Sequence, residues 1–364
     1  MGDPVKKSRV LIDVGHPAQV HFFRHMAENL QAAGHTVLFT ARNKEVTIDL
    51  LEAFQLPYEL RGELYEGMVA KVFGMFIIDY RLYRIARRFR PDILVGFHNP
   101  YIAHVSRLLR KPSIIFTDTE NVRIASLLTF PFADCICTPA CFKEALDPEK
   151  HLTFNGYKEL AYLHPNYFTA DPAVPLSLGI GPDEPFILLR LISWKASHDV
   201  DLRGIKAPES LVQKLEQFGK VFISSERELD PSLSERRLVL PPEQFHSLIA
   251  HAALYIGEGG SIATESALLG TPAIHIEADS SGEASGNRCG NFIELRDRYD
   301  LMYFYPDEIS AWEKALEILS DSDSKATWAK KRDRLLSEKS DVTAWITDLI
   351  AGYPESVQKA RLSK

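Results

Sequence analysis

The chain has no uninterrupted apolar run of roughly 18 residues, so no membrane-spanning helix is expected. Residues 1–9 are polar with two lysines, and no apolar signal-type stretch follows, so a secretory leader is not expected either. Cysteine is scarce, with Cys135, Cys137, Cys141 and Cys289 making the four. The first three lack the second ligand pair of a structural zinc site, and no metal triad is evident elsewhere. Buried reduced thiols are the expectation, with Cys135 and Cys137 on one face of a strand, and they suit a cytoplasmic setting. There is no basic excess: 42 Lys and Arg against 49 Asp and Glu leave −7, which argues against nucleic acid as the main partner. The early turn at residues 13–21 lacks the three-glycine dinucleotide fingerprint, which argues against a nicotinamide site.

What is present is a chain of 364 residues, 45% hydrophobic and 25% charged, long enough for two domains. Residues 10–14, 36–40, 58–60, 92–97, 113–116, 134–137 and 151–154 read as strands. Helical patterns at 21–33, 46–54, 80–89 and 101–109 fall between them. Buried strands alternating with helices predict βαβ units and a mostly parallel sheet. Prolines 165, 172, 175, 182 and 185 then mark a linker. A second alternation follows, with strands at 186–191, 221–224, 253–256 and 273–276, a strand-like piece at 237–240, and helices at 209–217 and 242–251. Helical stretches at 308–319, 324–336 and 341–351 close the chain. The pattern predicts an α/β protein with Rossmann-like parallel-sheet domains at 1–170 and 171–325, facing a central cleft, and terminal helices over 326–364.

The most specific segment is GEGGSIATESALLGTP at 257–272. Strand, glycine turn, helix and strand in that order place backbone N–H groups at a helix N-terminus, where an anion is stabilised. Glu265 lies four residues after Ser261, so both can face one ligand. The segment predicts a site for a phosphate with a hydroxyl-bearing group beside it.

Other candidates sit at predicted strand ends. His16, just after the first strand, has a ring nitrogen that can act as a base or, charged, meet an anion; His21 is a helix-face residue or a second contact. His98 and Asn99 follow the strand at 92–97, where Asn99-Pro100 is a ligand contact or a helix cap. Asp118 and Glu120 can do acid–base work, order a sugar hydroxyl, or cap the next helix. In the second half, Ser193 and Lys195 can meet phosphate, and Arg190 needs a partner if buried. Phe245 and His246 lie near the start of the 242–251 helix, at a nucleobase site or on a plain helix face. The small polar loop 279–287 carries Glu283 and Asn287, which a helical start would align for donor-sugar or interdomain contacts. Met68, Val69, Val72, Phe73, Met75, Phe76, Ile77 and Ile78 form an apolar stretch within 67–78, and Arg81, Arg84, Arg87, Arg88 and Arg90 follow. That segment rests on an anionic membrane or covers the sheet with its arginines in water.

Taken together, DVGHPAQVHFF at 13–23, RPDILVGF at 90–97, SWKASHD at 193–199 and GEGGSIATESALLGTPAI at 257–274 resemble the GT-B superfamily of nucleotide-sugar glycosyltransferases and UDP-N-acetylglucosamine 2-epimerases. Closer still is the resemblance to the DUF354 family of archaeal and bacterial proteins. It implies that Gly259, Gly260 and Ser261 meet a diphosphate, Glu265 the ribose hydroxyls, and the residues around Phe245 the base. The first domain would be the acceptor side, with the last helix crossing back onto it. A UDP-sugar would be the substrate, with an unknown acceptor and no tightly bound cofactor or metal. The epimerases carry an aspartate after the strand matching 92–97 and His-Val-Glu-Ala-Gly-Leu-Arg after the next. Here those places read Gly96-Phe97-His98-Asn99 and Phe116-Thr117-Asp118-Thr119-Glu120-Asn121. A transferase is therefore the first expectation. An epimerase-like enzyme and a non-catalytic nucleotide-sugar binder stand as alternatives.

Overall fold

A computed structural model of the chain describes residues 7–362 apart from 45, 63–67, 121 and 194–202, with only the backbone at 68–72. The chain forms two compact units, one of residues 1–167 with 340–364, the other of residues 168–339. In the first, seven strands form an all-parallel sheet: β1 Arg9–Val14, β2 Thr36–Ala41, β3 Tyr58–Leu60, β4 Ile93–Phe97, β5 Ser113–Phe116, β6 Cys135–Pro139 and β7 His151–Phe154. Their order is β3-β2-β1-β4-β5-β6-β7. The helices are α1 Pro17–Ala32, α2 Thr47–Ala53, α3 Met68–Phe89, α4 Pro100–Leu109, α5 Arg123–Thr129 and α6 Leu160–Leu163. Parallel strands need crossovers, so both faces of the sheet are covered and its central strands are mostly apolar. Leu82 and Ala86 of α3 and Ile102 and Val105 of α4 pack with Leu11, Leu94 and Ile115 on one face. On α1, Phe22, Phe23, Met26 and Leu30 have no exposure.

The second unit is built on β8 Phe186–Leu191, β9 Lys220–Ser225, β10 Leu254–Gly257, β11 Ala273–Ile276 and β12 Met302–Tyr305, ordered β12-β11-β10-β8-β9 and again parallel. Its helices are α7 Ala173–Ser177, α8 Pro208–Leu215, α9 Phe245–His251, α10 Gly260–Leu269, α11 Gly290–Asp297, α12 Glu308–Ser320 and α13 Ser324–Glu338. The expected proline linker holds α7, and just before that helix the Asp171 N–H bonds to Ser247 Oγ at 3.1 Å. The strand-like piece at 237–240 is not a strand: it keeps one bridge, Ile223 with Arg237, because Pro241 and Pro242 stop the ladder. Edge strand β12 was not anticipated.

After α13 the chain returns to the first unit as α14 Val342–Ala351 and α15 Glu355–Leu362. The return is fixed by bonds from the Ser340 N–H to Asn155 O at 2.8 Å, and from Thr343 Oγ1 to Ala161 O at 2.6 Å. Gly156 makes room for it, since a Cβ there would lie 2.5 Å from Val342 Cγ2.

Each sheet reverses strand order once, between β1 and β4 and between β10 and β8. The carboxyl ends of strands beside such a reversal are where open α/β sheets bind ligands.

Candidate functional site

In the second unit the reversal lies between Leu191 and Gly257. Gly257, at φ 150°, lies flat against β8, where a Cβ would fall 2.4 Å from Arg190 O. Gly259, at φ 94°, is the N-cap residue of α10 and offers no side-chain cap. At Gly260 a Cβ would meet the Phe292 ring at 2.5 Å. The glycines are thus set by close approach and backbone sign, and they leave the first turn of α10 without a side-chain acceptor. Ser261 is half-buried at this end, and Glu265 one turn on is buried.

Glu265 does not face open solvent. Its Oε1 lies 3.2 Å from His246 Nε2, with both side chains less than a tenth exposed. The Phe168 ring meets His246 edge-on at 6.2 Å, and Phe245 is half-buried as the first residue of α9. Helix α9 begins at the carboxyl edge, so residues 245, 246, 259–261 and 265 come together.

Glu258, between the glycines, was not anticipated as a keystone. It has no exposure. Its carboxylate accepts the Ile192 N–H at 2.7 Å and the Ile205 N–H at 2.8 Å, gripping both ends of the segment that follows β8. Burial pushes the Tyr255 phenol far above its ordinary range, so it stays protonated and donates to Glu258 O at 2.7 Å. Arg190 pairs through its terminal nitrogens with Ser224 Oγ at 2.7 Å and with the Glu226 carboxylate, while its buried Nε has no hydrogen-bond acceptor among the described residues. Ser193 donates its N–H and hydroxyl to Glu226, each at 3.3 Å. Lys195 lies outside the described residues. A cavity of about 260 Å³ opens beside this strand end, lined by Leu191, Ile205, Pro208, Arg227 and Leu233 among others.

The loop after β11 is organised by Asp279. Its Oδ1 accepts the Ser281 hydroxyl at 2.5 Å and N–H at 2.8 Å, and the Glu283 N–H at 3.2 Å; the Ser281 hydroxyl is first among the bonds that hold this carboxylate below its ordinary range. Glu283 and Asn287 are exposed but are not aligned on one helix. Glu283 precedes the 3-10 turn Ser285–Arg288, and Ala284 forms a bridge with Ala278 instead.

In the first unit the reversal lies between Val14 and Phe97. Asp13, with no exposure, accepts from Thr40 Oγ1 at 2.7 Å, Arg61 Nε at 2.6 Å and Asn99 Nδ2 at 2.5 Å. A lone carboxylate inside the apolar run RVLIDV signals such partners, but their positions in sequence do not. Asn99 also caps α4, accepting the Ile102 N–H at 3.1 Å. His16 caps α1: its Nδ1 accepts the Ala18 N–H at 3.2 Å. A neutral imidazole in that bond carries its proton on Nε2 and is a donor there. His21 is buried against Phe54 and Tyr162 rather than placed at the strand ends. His98 contacts Thr117 Oγ1 at 2.8 Å, and burial lowers its pKa. Asp118 pairs with Lys158 Nζ at 2.8 Å. Glu120 accepts the Lys143 N–H at 3.2 Å. His16, His98, Asp118 and Glu120 thus follow β1, β4 and β5, which are neighbours in the sheet.

Cys135 and Cys137 share one face of β6, their thiols in hydrogen-bond contact at 3.7 Å and not joined as a disulfide. Among the described residues no group of three or more His, Cys, Asp or Glu is placed to hold a metal ion.

Two parallel sheets with these crossovers define the GT-B fold, found in glycosyltransferases and UDP-N-acetylglucosamine 2-epimerase-like proteins. The structure is similar to that of S. aureus MnaA with UDP, at TM-score 0.68 and 10% identity over 96% of this chain and 98% of that one. It is also similar to SsfS6, a Streptomyces sp. SF2575 glycosyltransferase, at TM-score 0.59 and 14% identity over 94% and 99% of the two chains. The chain belongs to the family described as "Protein of unknown function (DUF354)", whose model matches residues 8–281. The uncharacterized protein MJ0665 of Methanocaldococcus jannaschii is 25% identical over 277 residues, 73% of this chain and 80% of that protein.

Proposed function

We propose that this protein is a nucleotide-sugar-dependent glycosyltransferase of glycan or glycolipid synthesis, with a UDP-sugar as donor. The observation that carries the reading is the uncapped N-terminus of α10 at the strand reversal, with Ser261 beside it and Glu265 buried one turn behind. In transfer, the bond from the sugar's anomeric carbon to the diphosphate oxygen breaks, and an acceptor oxygen bonds to that carbon and loses its proton. Negative charge grows on the departing diphosphate, and the N–H groups of residues 260–262 are the donors to meet it. Lys195 is assigned to the same phosphates, with Ser193 beside it. Glu265 is assigned to the ribose hydroxyls, Phe245 and His246 to the base, and Glu283 and Asn287 to the sugar.

The acceptor side is assigned to the first unit, with His16, Asp118 and Glu120 as its candidate acid–base groups. His16 can take a proton at Nε2 only in the tautomer that gives up its cap on Ala18. Asp118 is positioned by its ion pair with Lys158 through Oδ2. An epimerase must remove and restore a group on the donor sugar, so it demands more of these acids than a transferase does.

The test is a calorimetric binding screen of nucleotide sugars, with mass analysis of products with and without added acceptors. Binding with transfer to an acceptor is expected. An isomerised donor would turn the assignment to an epimerase, binding without turnover to a carrier, and no binding of any nucleotide sugar would end the reading.

A further inference from the structure

Helix α3 has two faces of different character. Ile78, Leu82, Ile85 and Ala86 are buried toward the sheet. Opposite them, Phe73, Phe76 and Tyr80 are 66%, 62% and 61% exposed, with Ile77 between at 39%. The spacing i, i+3, i+4, i+7 makes one stripe. The stripe continues as Arg81, Arg84, Arg87 and Arg88, all exposed. Apolar and basic halves therefore follow one another along the axis, each about 10 Å long at about 1.5 Å per residue.

The neighbouring helices extend the surface. His104 of α4 contacts Asp79 Oδ2 of α3 at 2.9 Å through Nδ1, and Leu128 O of α5 at 2.9 Å through Nε2. It thereby ties three helices together. On α5, Ile124 and Leu127 are 78% and 71% exposed. Helices α3 and α5 both start at the carboxyl edge of the sheet, so their exposed apolar residues lie toward the same end. The only carboxylate on α3, α4 or α5 is Asp79, which His104 engages. Glu59 of β3 pairs with Arg88 and Asp134 lies 3.8 Å from Arg107, while Arg123 adds to Arg81, Arg84 and Arg87 of α3. This occurs in a chain whose net charge is −7.

We propose that this face of α3 and α5 is a docking surface for an anionic lipid bilayer. The aromatic and aliphatic tips enter the acyl boundary and the arginines bind lipid phosphates, their stems lying along the interface. The order of the two halves tilts α3, its N-terminal half deeper. Charge selects this occupant over a second copy of the chain, because an isologous contact would pair this net-positive face with itself, whereas anionic headgroups complement it. No described helix is long and apolar enough to cross a membrane, so the contact is with one leaflet. The proposal does not depend on the nucleotide-sugar reading.

The experiment is co-sedimentation of the full chain with vesicles of phosphatidylcholine alone or mixed with phosphatidylglycerol, without nucleotide. Partition into the anionic vesicles is expected to be at least tenfold stronger and to weaken with salt. Arg84→Glu/Arg87→Glu should lower it by about fivefold or more per arginine. Phe73→Ser/Phe76→Ser should lower it by at least tenfold while the circular dichroism spectrum and melting temperature stay near wild type, since both rings are already solvated. No pelleting with anionic vesicles, equal pelleting of wild type and variants, or loss of a dimer in sedimentation velocity without change in lipid partition would overturn the proposal.

Discussion

His246 Nε2 and Glu265 Oε1 lie 3.2 Å apart in the second unit, with both side chains nearly free of solvent. A ligand hydroxyl reaching Glu265 would find its carboxylate already oriented by the imidazole. Glu265→Ala should weaken binding of UDP about tenfold or more, the worth of one hydrogen bond to a charged group. Calorimetry at fixed pH measures it, with Glu265→Gln expected to fall between wild type and alanine. Unchanged affinity in both variants would remove Glu265 from the site.

His16 combines a cap with a candidate chemical role, and substitution separates the two. His16→Ala should destabilise the protein by roughly 0.5–2 kcal/mol through loss of the α1 cap. His16→Asn should restore the cap, because asparagine accepts from the same N–H group. If the asparagine variant melts like wild type yet loses turnover, the imidazole touches substrate. If it retains both, His16 is a cap alone.

Glu258 holds Ile192 and Ile205 from between two glycines. Glu258→Ala would leave both N–H groups without their acceptor and should lower stability by roughly 2–5 kcal/mol. Hydrogen exchange at these two amides should accelerate more than in β10. Exchange that changed uniformly across the unit would show a general loss of stability instead.

His104 gives the first unit a pH dependence of definite sign. Its hydrogen bond to Asp79, the largest cause, raises the imidazole pKa above the ordinary value. The folded state therefore binds the proton more tightly than the unfolded chain. The associated stability is fully present below the unfolded pKa of about 6.5 and is lost as pH rises through the folded value. Burial acts in the opposite sense at His98, whose lowered pKa penalises folding as pH falls. The difference in unfolding free energy between wild type and His104→Ala should therefore be larger at pH 5.5 than at pH 9. A difference independent of pH would mean that the contact does not depend on the proton.

The sheets and the glycine turn were legible because parallel strands carry nearly unbroken apolar runs, and glycines mark positions where a side chain cannot fit. Arg190 advertised its own need for partners. The short edge strand Met302–Tyr305 was not legible, since four residues with consecutive aromatics, between Asp300 and Pro306, give too short a pattern to separate a strand from a connection. The 237–240 piece was over-read because its hydrophobicity outweighed the proline pair beyond it. Asp13 and Glu258 could have been flagged as lone carboxylates amid buried residues. Their partners at Arg61, Asn99, Ile192 and Ile205 are long-range, and no local pattern encodes a bond across 48 or 86 positions.

The return of residues 340–364 to the first unit makes the second an insertion rather than an appendage. The polypeptide crosses between units twice, near 167 and near 339. Exchange of the second unit between relatives therefore requires two junctions. A chimera spliced only at the proline-rich segment would give α1 a foreign partner in place of its own α14. Recombination in this family would thus be expected to transplant an internal cassette, leaving both chain ends with the same parent.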